Sequence, residues 1–277
     1  MNNLSGKRFN LFGASRVGVS LAYHLNRLGF KPEFVWNRSP ERLAQAKQAV
    51  PFQNFSTDLT AACRDKPDWI IIAVTDDAIE EIATQISRCL PDFKAVKVFH
   101  TSGFLSSMAL SSLKRKGAAT GSLHPVVSVP DIATGIRLLC QCVYTCEGVI
   151  KKSLAEIVKS IGGQPYLLNR QQKETIHLSA VFLNNYVVAL INAIKILNSE
   201  SDLEPSKARA ILQPITEQAV LNGWEKNVAD ALTGPLMRGD YQTIEKHLAL
   251  LDDYPELKKL YQDFIDLALQ VVAHSKR

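Results

Sequence analysis

The chain has 277 residues, 46% of them hydrophobic and 21% charged, a globular composition that excludes a disordered or fibrous protein and leaves room for two domains. The formal net charge of +5 is unevenly spread: residues 1–170 carry 21 basic against 13 acidic side chains, a net of +8, and residues 171–277 carry 11 against 14, a net of −3. A basic first part points to an anionic ligand. The sequence has no Lys/Arg stripe with interleaved aromatics, which argues against a nucleic-acid partner.

In chain order, Arg8–Phe12, Glu33–Trp36, Trp69–Val74, Val96–His100, Ala118–Leu123 and Cys142–Cys146 read as strands. Arg16–Leu28, Pro40–Val50, Asp77–Cys89 and Ser106–Lys116 between them have helical periodicity, and the basic run Lys114–Lys116 reads as a solvated helix end. Such alternation predicts a mostly parallel sheet covered on both faces. The unbroken apolar run Trp69–Val74 suits a strand buried on both sides. Ile150–Ile161 adds a helix and Gln164–Leu168 a strand. From Gln171 the strand signal ends: Gln171–Asn198 reads as one long helix, followed by Pro205–Asn222, Val228–Met237, Tyr241–Asp252 and Pro255–Ala273. The fold class expected is α/β over residues 1–169 followed by an all-helical domain over 170–277.

Leu178–Leu197 has the length of a membrane span, but Asn184 and Asn185 at mid-span would be expensive in lipid. The expectation is no membrane association and a helix buried by its own domain or by a second subunit. Five cysteines, Cys63, Cys89, Cys140, Cys142 and Cys146, are an odd number that suggests a reducing compartment. Met1–Arg8 has no signal-peptide character, so a cytoplasmic protein is expected. Cys140, Cys142 and Cys146 fall in Leu138–Cys146, read as a buried strand. No second cysteine pair or nearby histidine completes a tetrahedral metal site, and no metal is expected.

The strongest motif follows the first strand. Gly13-Ala14-Ser15-Arg16-Val17-Gly18 is the dinucleotide fingerprint with Ser15 at its second glycine. Gly13 permits the turn, Gly18 lets helix and strand approach, and the helix-start amides suit a pyrophosphate. Arg38 follows Gly13 by 25 positions, where Asp or Glu would hold an unphosphorylated ribose. Asn37, Arg38 and Ser39 offer no carboxylate there, which favours NADP(H) over NAD(H). Ser39 also reads as a helix N-cap. Val74-Thr75-Asp76 and His100-Thr101-Ser102-Gly103 end two further strands and face the nicotinamide half of such a cofactor. Asp76 reads equally as an N-cap, and His100 as a buried histidine with a backbone partner. His124 sits in a strand-end loop with a side chain suited to proton transfer. Lys173 and His177, i and i+4 on the first helix after the α/β region, share a face, with Asn184 and Asn185 two turns on.

Together these residues resemble the Rossmann-like NADP oxidoreductases, joined to a helical domain similar to that of the 6-phosphogluconate dehydrogenase C-terminal-like superfamily. The nearest likeness is to bacterial proteins that pair a Rossmann-like domain with a C-terminal domain of unknown function. Its marks are His100-Thr101-Ser102-Gly103, Leu123-His124-Pro125, His177 followed by Ala180 and Asn185, Leu232-Thr233-Gly234-Pro235, Arg238-Gly239-Asp240 and His247. Some members of that family resemble ketopantoate reductases, whose usual Lys-x-x-x-Asn pair is here Lys173-x-x-x-His177. The resemblance implies NADPH-dependent reduction of a small 2-oxo acid, ketopantoate first, in pantothenate biosynthesis. His177 or Lys173 would be the proton donor, Asn185 would orient the carbonyl, Arg238 or Lys173 would hold the carboxylate, and His124 would assist. A homodimer is expected. An imine reductase similar to pyrroline-5-carboxylate reductase, and a non-catalytic NADP(H)-binding protein, are the alternatives.

Overall fold

The computed structural model describes residues 5–63 and 66–275. Contacts divide the chain into two compact units, Met1–Phe182 and Leu183–Arg277. The first is an eight-stranded sheet. Its strands are β1 (Arg8–Phe12), β2 (Lys31–Trp36), β3 (Asn54–Ser56), β4 (Trp69–Ile72), β5 (Lys97–His100), β6 (Ala119–Pro125), β7 (Val143–Gly148) and β8 (Gln164–Leu167), in the order β3-β2-β1-β4-β5-β6-β7-β8. Every neighbouring pair is parallel except β6–β7. The strand order reverses between β1 and β4, the point at which doubly wound sheets bind ligands beyond their carboxyl ends.

Helices α1 (Arg16–Arg27), α2 (Pro40–Ala49), α3 (Asp76–Cys89), α4 (Ser111–Arg115), α5 (Ile132–Leu139) and α6 (Lys151–Ser160) cover the sheet. The reason is legible in β4. Trp69 and Ile71 enter one core with Leu21, Leu25 and Ala46, while Ile70 and Ile72 enter the other with Ile79, Ile82 and Leu113. A strand apolar on both faces needs helices on both.

Three departures from the sequence reading have local causes. The strand β3 and the helix α5 were not expected. β3 is a three-residue edge strand, too short to show a period. α5, Ile-Ala-Thr-Gly-Ile-Arg-Leu-Leu, starts on the Asp131 cap and docks on α1, where Ser20 Oγ donates to the Ile132 carbonyl and His24 Nε2 lies 2.8 Å from the Ile136 carbonyl oxygen. Leu138 and Leu139 therefore end a helix, and only Val143 onward is strand. Cys140 and Cys142 are half-buried on the connecting turn rather than in a buried strand, and burial pushes the Cys146 thiol up to about 12. All three are free thiols, whereas Cys89 is disulfide-bonded; a disulfide is a departure from the thiols that a reducing compartment favours.

The helix α7 (Arg170–Ala180) completes the first unit, opened by a capping box between Asn169 and Gln172. A π-helical turn at Val181–Tyr186 carries the chain into α8 (Val187–Ser199). The second unit continues with α9 (Pro205–Glu225), α10 (Val228–Ala231), α11 (Pro235–Arg238), α12 (Tyr241–Leu250) and α13 (Pro255–Ser275). Pro205 occupies the first turn of α9, where its missing N–H costs nothing. The run read as one helix over Val228–Met237 is two, because Gly234 takes φ +97° between them.

Arg170–Ser199 is long and apolar enough to cross a membrane by length and composition, and none of its apolar window is buried. The expectation that its own domain buries this window is therefore not met, and the stretch Arg170–Ser199 runs through both units. Asn184, Asn185 and Asn192 are exposed rather than buried: Asn184 Nδ2 donates to Asn185 Oδ1, and Asn192 Nδ2 to the Val188 carbonyl.

Candidate active site

Parallel pairing brings the carboxyl ends of β2, β1, β4, β5 and β6 to one edge of the sheet. At β1, Gly13 turns with φ +98° so tightly onto the loop after β4 that a Cβ would lie 2.4 Å from the Ala73 carbonyl oxygen. Gly18 brings α1 against the same loop, its hypothetical Cβ 2.6 Å from Ala73 Cβ. Ser15, the departure from the glycine pattern, is the N-cap: its Oγ accepts from Gly18 N at 3.1 Å. Asn37 Oδ1 accepts from Ala14 N at 3.1 Å, so Asn37 ties the end of β2 to the turn rather than awaiting a ligand. The amides of Arg16 and Val17, in the first turn, have no intrahelical acceptor and suit a phosphate. Arg16 and Arg38 are exposed at this end. Arg38 follows the tied Asn37 just beyond the end of β2. Ser39 caps α2, its Oγ accepting from Arg42 N. These residues fit a phosphorylated dinucleotide, with two cradle amides held internally.

The next loops interlock. Thr75, not Asp76, is the N-cap of α3, and Asp76 in its first turn accepts from Ser102 Oγ at 2.7 Å. That hydroxyl in turn accepts from Phe104 N and Leu105 N, which fixes the loop after β5. His100 is wholly buried: Nε2 lies 3.0 Å from the Ser106 carbonyl oxygen and Nδ1 accepts from Ser102 N at 3.2 Å. One nitrogen must donate and the other accept, so the ring is neutral; burial, with Lys173 and His124 nearby, lowers it to about 4. His100 is structural.

Lys173 is only 1% exposed. Its Nζ donates to the Ser102 carbonyl at 2.7 Å. Burial lowers it to about 8, while the charges of Glu147 and Asp76 oppose the shift. Glu147 is itself buried on β7 and accepts from Ser107 N at 2.7 Å and Ser107 Oγ at 3.0 Å, with Ser122 Oγ at 3.4 Å. Sequence reading missed Glu147. The available signal was a carboxylate ending an otherwise uncharged strand, between Cys146 and Gly148.

His124, the last but one residue of β6 rather than a loop residue, and His177 on α7 close on Gly103. Their ring centroids are 5.9 Å apart, and Phe104 lies 6.0 Å from His177. A methyl on Gly103 would sit 2.3 Å from His177 Nδ1 and 2.9 Å from His124 Nε2, so only glycine lets both imidazoles approach this loop. His124 Nδ1 lies 3.3 Å from the Thr101 carbonyl oxygen. Burial and the Lys173 charge lower His124 to about 4.

The structure thus joins Gly13, Ala73, Asp76, Ser102, Gly103, Lys173, His124 and His177 along one edge. Asn185 and Arg238 belong to the second unit. There Asp240 caps α12 by accepting from Thr243 N and Thr243 Oγ1, and His247 Nδ1 meets the Tyr261 hydroxyl at 2.9 Å. Two open cavities of about 640 and 620 Å³ lie elsewhere, flanking β3 and lined by residues such as Asp58 and Arg88, and Leu43 and Phe55. They contain none of these groups. Among the described residues no cluster of three His, Cys, Asp or Glu is placed to hold a metal.

A reversed strand order and a glycine turn at the switch point are the marks of a Rossmann-type dinucleotide-binding fold, here with titratable groups on the same edge. Residues 8–98 match the family described as NADP oxidoreductase, coenzyme F420-dependent, and residues 140–266 match a domain of unknown function (DUF2520). No curated protein matches the chain. Among solved structures, a Bacteroides fragilis protein assigned as an NADP oxidoreductase is similar at 21% identity and TM-score 0.73, over 99% of this chain and 100% of that one. An Aspergillus terreus reductive aminase bound to NADPH and ethyl-5-oxohexanoate is similar at 14% identity and TM-score 0.72, over 95% and 94%. A Myxococcus stipitatus imine reductase bound to NADP+ is similar at 15% identity and TM-score 0.69, over 96% and 94%. At these identities the likeness is one of fold.

Proposed function

We propose that the protein is an NADPH-dependent reductase of a small 2-oxo acid, with ketopantoate as leading substrate and pantoate as product. The observation that carries this reading is the unbroken edge from the Gly13 turn, through Asp76 and Ser102, to His124 and His177. Bound NADPH would supply the hydride. Arg16, Val17 and the exposed Arg38 hold its phosphates. His177, half-buried beside Phe104, gives a proton to the oxygen of the reduced carbonyl. Lys173 is too deeply held on the Ser102 carbonyl to serve as the mobile donor, and acts through the loop it fixes and the field it exerts. Asn185 orients the carbonyl and Arg238 holds the substrate carboxylate, as the resemblance implies. Residues 1–169 hold the dinucleotide and residues 170–277 supply His177, Asn185 and Arg238 to the substrate.

Leu190, Ile191, Ile196, Ile215 and Trp224 are among the apolar side chains exposed on the helical unit. Exposed apolar faces mark interaction surfaces, and a homodimer in the cytoplasm is the partner proposed. Imine reduction is the second reading, favoured by the reductive aminase and imine reductase of similar fold. A panel of 2-oxo acids and cyclic imines, followed by NADPH oxidation, separates the two. Rescue of a ketopantoate-reductase-deficient strain tests the first in cells; failure to rescue, with the protein expressed, counts against it.

A further inference from the structure

We propose that His124 acts toward the substrate as a hydrogen-bond acceptor, so that the site selects molecules presenting an O–H or N–H group to its Nε2. The inference rests on the reading of this edge as the substrate's seat. The Thr101 carbonyl oxygen 3.3 Å from Nδ1 can only accept, so Nδ1 carries the proton. A neutral ring protonated there leaves Nε2 as a bare lone pair. The ring stays neutral because it is half-buried and the groups facing it, Lys173 and His177 from α7 and His100 from β5, offer no negative charge. The carboxylates of Asp76 and Glu147 are engaged by Ser102 and by Ser107 with Ser122.

Nε2 has no hydrogen-bond partner among the described residues, and it is not one of the fully buried unpaired polar atoms. It therefore opens to the surface, on the side of Gly103 to which His177 Nδ1 also turns. A carbonyl or carboxylate oxygen placed against Nε2 would set lone pair against lone pair. A hydroxyl or an N–H would be bound. His124 is thus a specificity contact and not the acid, which leaves proton donation to His177. A hydroxy-oxo acid such as ketopantoate supplies the donor through its hydroxyl, and a protonated imine supplies it through nitrogen.

Two matched pairs, measured by calorimetry on the NADP+-loaded full-length protein, test this. One is ketopantoate against its deoxy analogue 3,3-dimethyl-2-oxobutanoate; the other is protonated 1-pyrroline against its N-methyl iminium. The donor-bearing member of at least one pair should bind about tenfold tighter or more, and the pair that discriminates names the source of the donor. In His124→Phe, which keeps ring size and removes the acceptor, the ratio should fall towards one. Because that variant can misfold, 15N-histidine NMR of the wild-type protein at neutral pH provides a second reading, with Nδ1 protonated and Nε2 bare expected. Equal or absent binding in both pairs, a ratio unchanged in a folded His124→Phe, or an Nε2–H or charged ring overturns the proposal. Discrimination in binding without NADPH oxidation would instead refute the reductase reading and leave the contact standing.

Discussion

Replacing Lys173 by Met should change the pH dependence of stability far more than stability itself at neutral pH. Lys173 is lowered from 10.5 to about 8 by burial, and each unit corresponds to about 1.4 kcal/mol between its protonation states. Holding the charged form in the fold therefore costs roughly 3 kcal/mol. Against this stands the bond to the Ser102 carbonyl, at about 1.5–3 kcal/mol for a charged donor. The two nearly cancel near pH 7, so Met, similar in length and apolar, should fold with stability within about 1–2 kcal/mol of wild type. Above pH 8 the folded protein releases the proton while the unfolded chain keeps it. Stability linked to Lys173 thus rises with pH between about 8 and 10.5 and levels off above. Other groups also titrate there; the Cys146 thiol, raised by burial, pulls the other way, so the quantity to read is wild type minus variant. Urea unfolding at pH 7.5 and pH 10 should show this difference moving by about 2–3 kcal/mol in favour of wild type. Parallel pH profiles would refute a charged, buried Lys173.

Three further predictions concern the same edge. Arg38→Ala should raise KM for NADPH by roughly 10–100-fold, the value of a charge-assisted contact, and leave KM for NADH nearly unchanged; steady-state kinetics with both cofactors checks this. Gly103→Ala should abolish reduction while retaining NADPH affinity, because its methyl falls 2.3 Å from His177 Nδ1 and displaces both imidazoles; fluorescence titration with NADPH separates the two effects. Glu147→Gln keeps an acceptor for Ser107 but removes the charge facing Lys173, so the Lys173 stability rise should begin at lower pH than in wild type, read by the same unfolding series.

The sheet was legible because each central strand is a short apolar run and each turn has its own chemistry: Gly13 and Gly18 at the first, the Ser39 cap at the second. What escaped was set by tertiary contact. α5 has few local signals and is held by Ser20 and His24 of another helix. The interruption at Val181–Tyr186 leaves no mark on an apolar period, and Asn184 and Asn185 within it, like Asn192 on α8, are exposed rather than buried. The site divided in the same way. Strand-end position pointed to Gly13, Ser102 and His124, and i, i+4 helical spacing to Lys173 and His177. Only geometry shows that Asn37 is a brace, that His100 is locked neutral, that Glu147 faces the charge of Lys173, and that two imidazoles meet over Gly103.

The central claim is that this edge performs NADPH-dependent reduction with His177 as acid. Its most direct test is steady-state NADPH oxidation by purified wild type and His177→Ala with ketopantoate, other 2-oxo acids and cyclic imines. The account predicts turnover with wild type, a kcat roughly 100-fold lower or more in the variant, and nearly equal NADPH affinity. No NADPH oxidation with any of these substrates, or an unchanged kcat in His177→Ala, would contradict it.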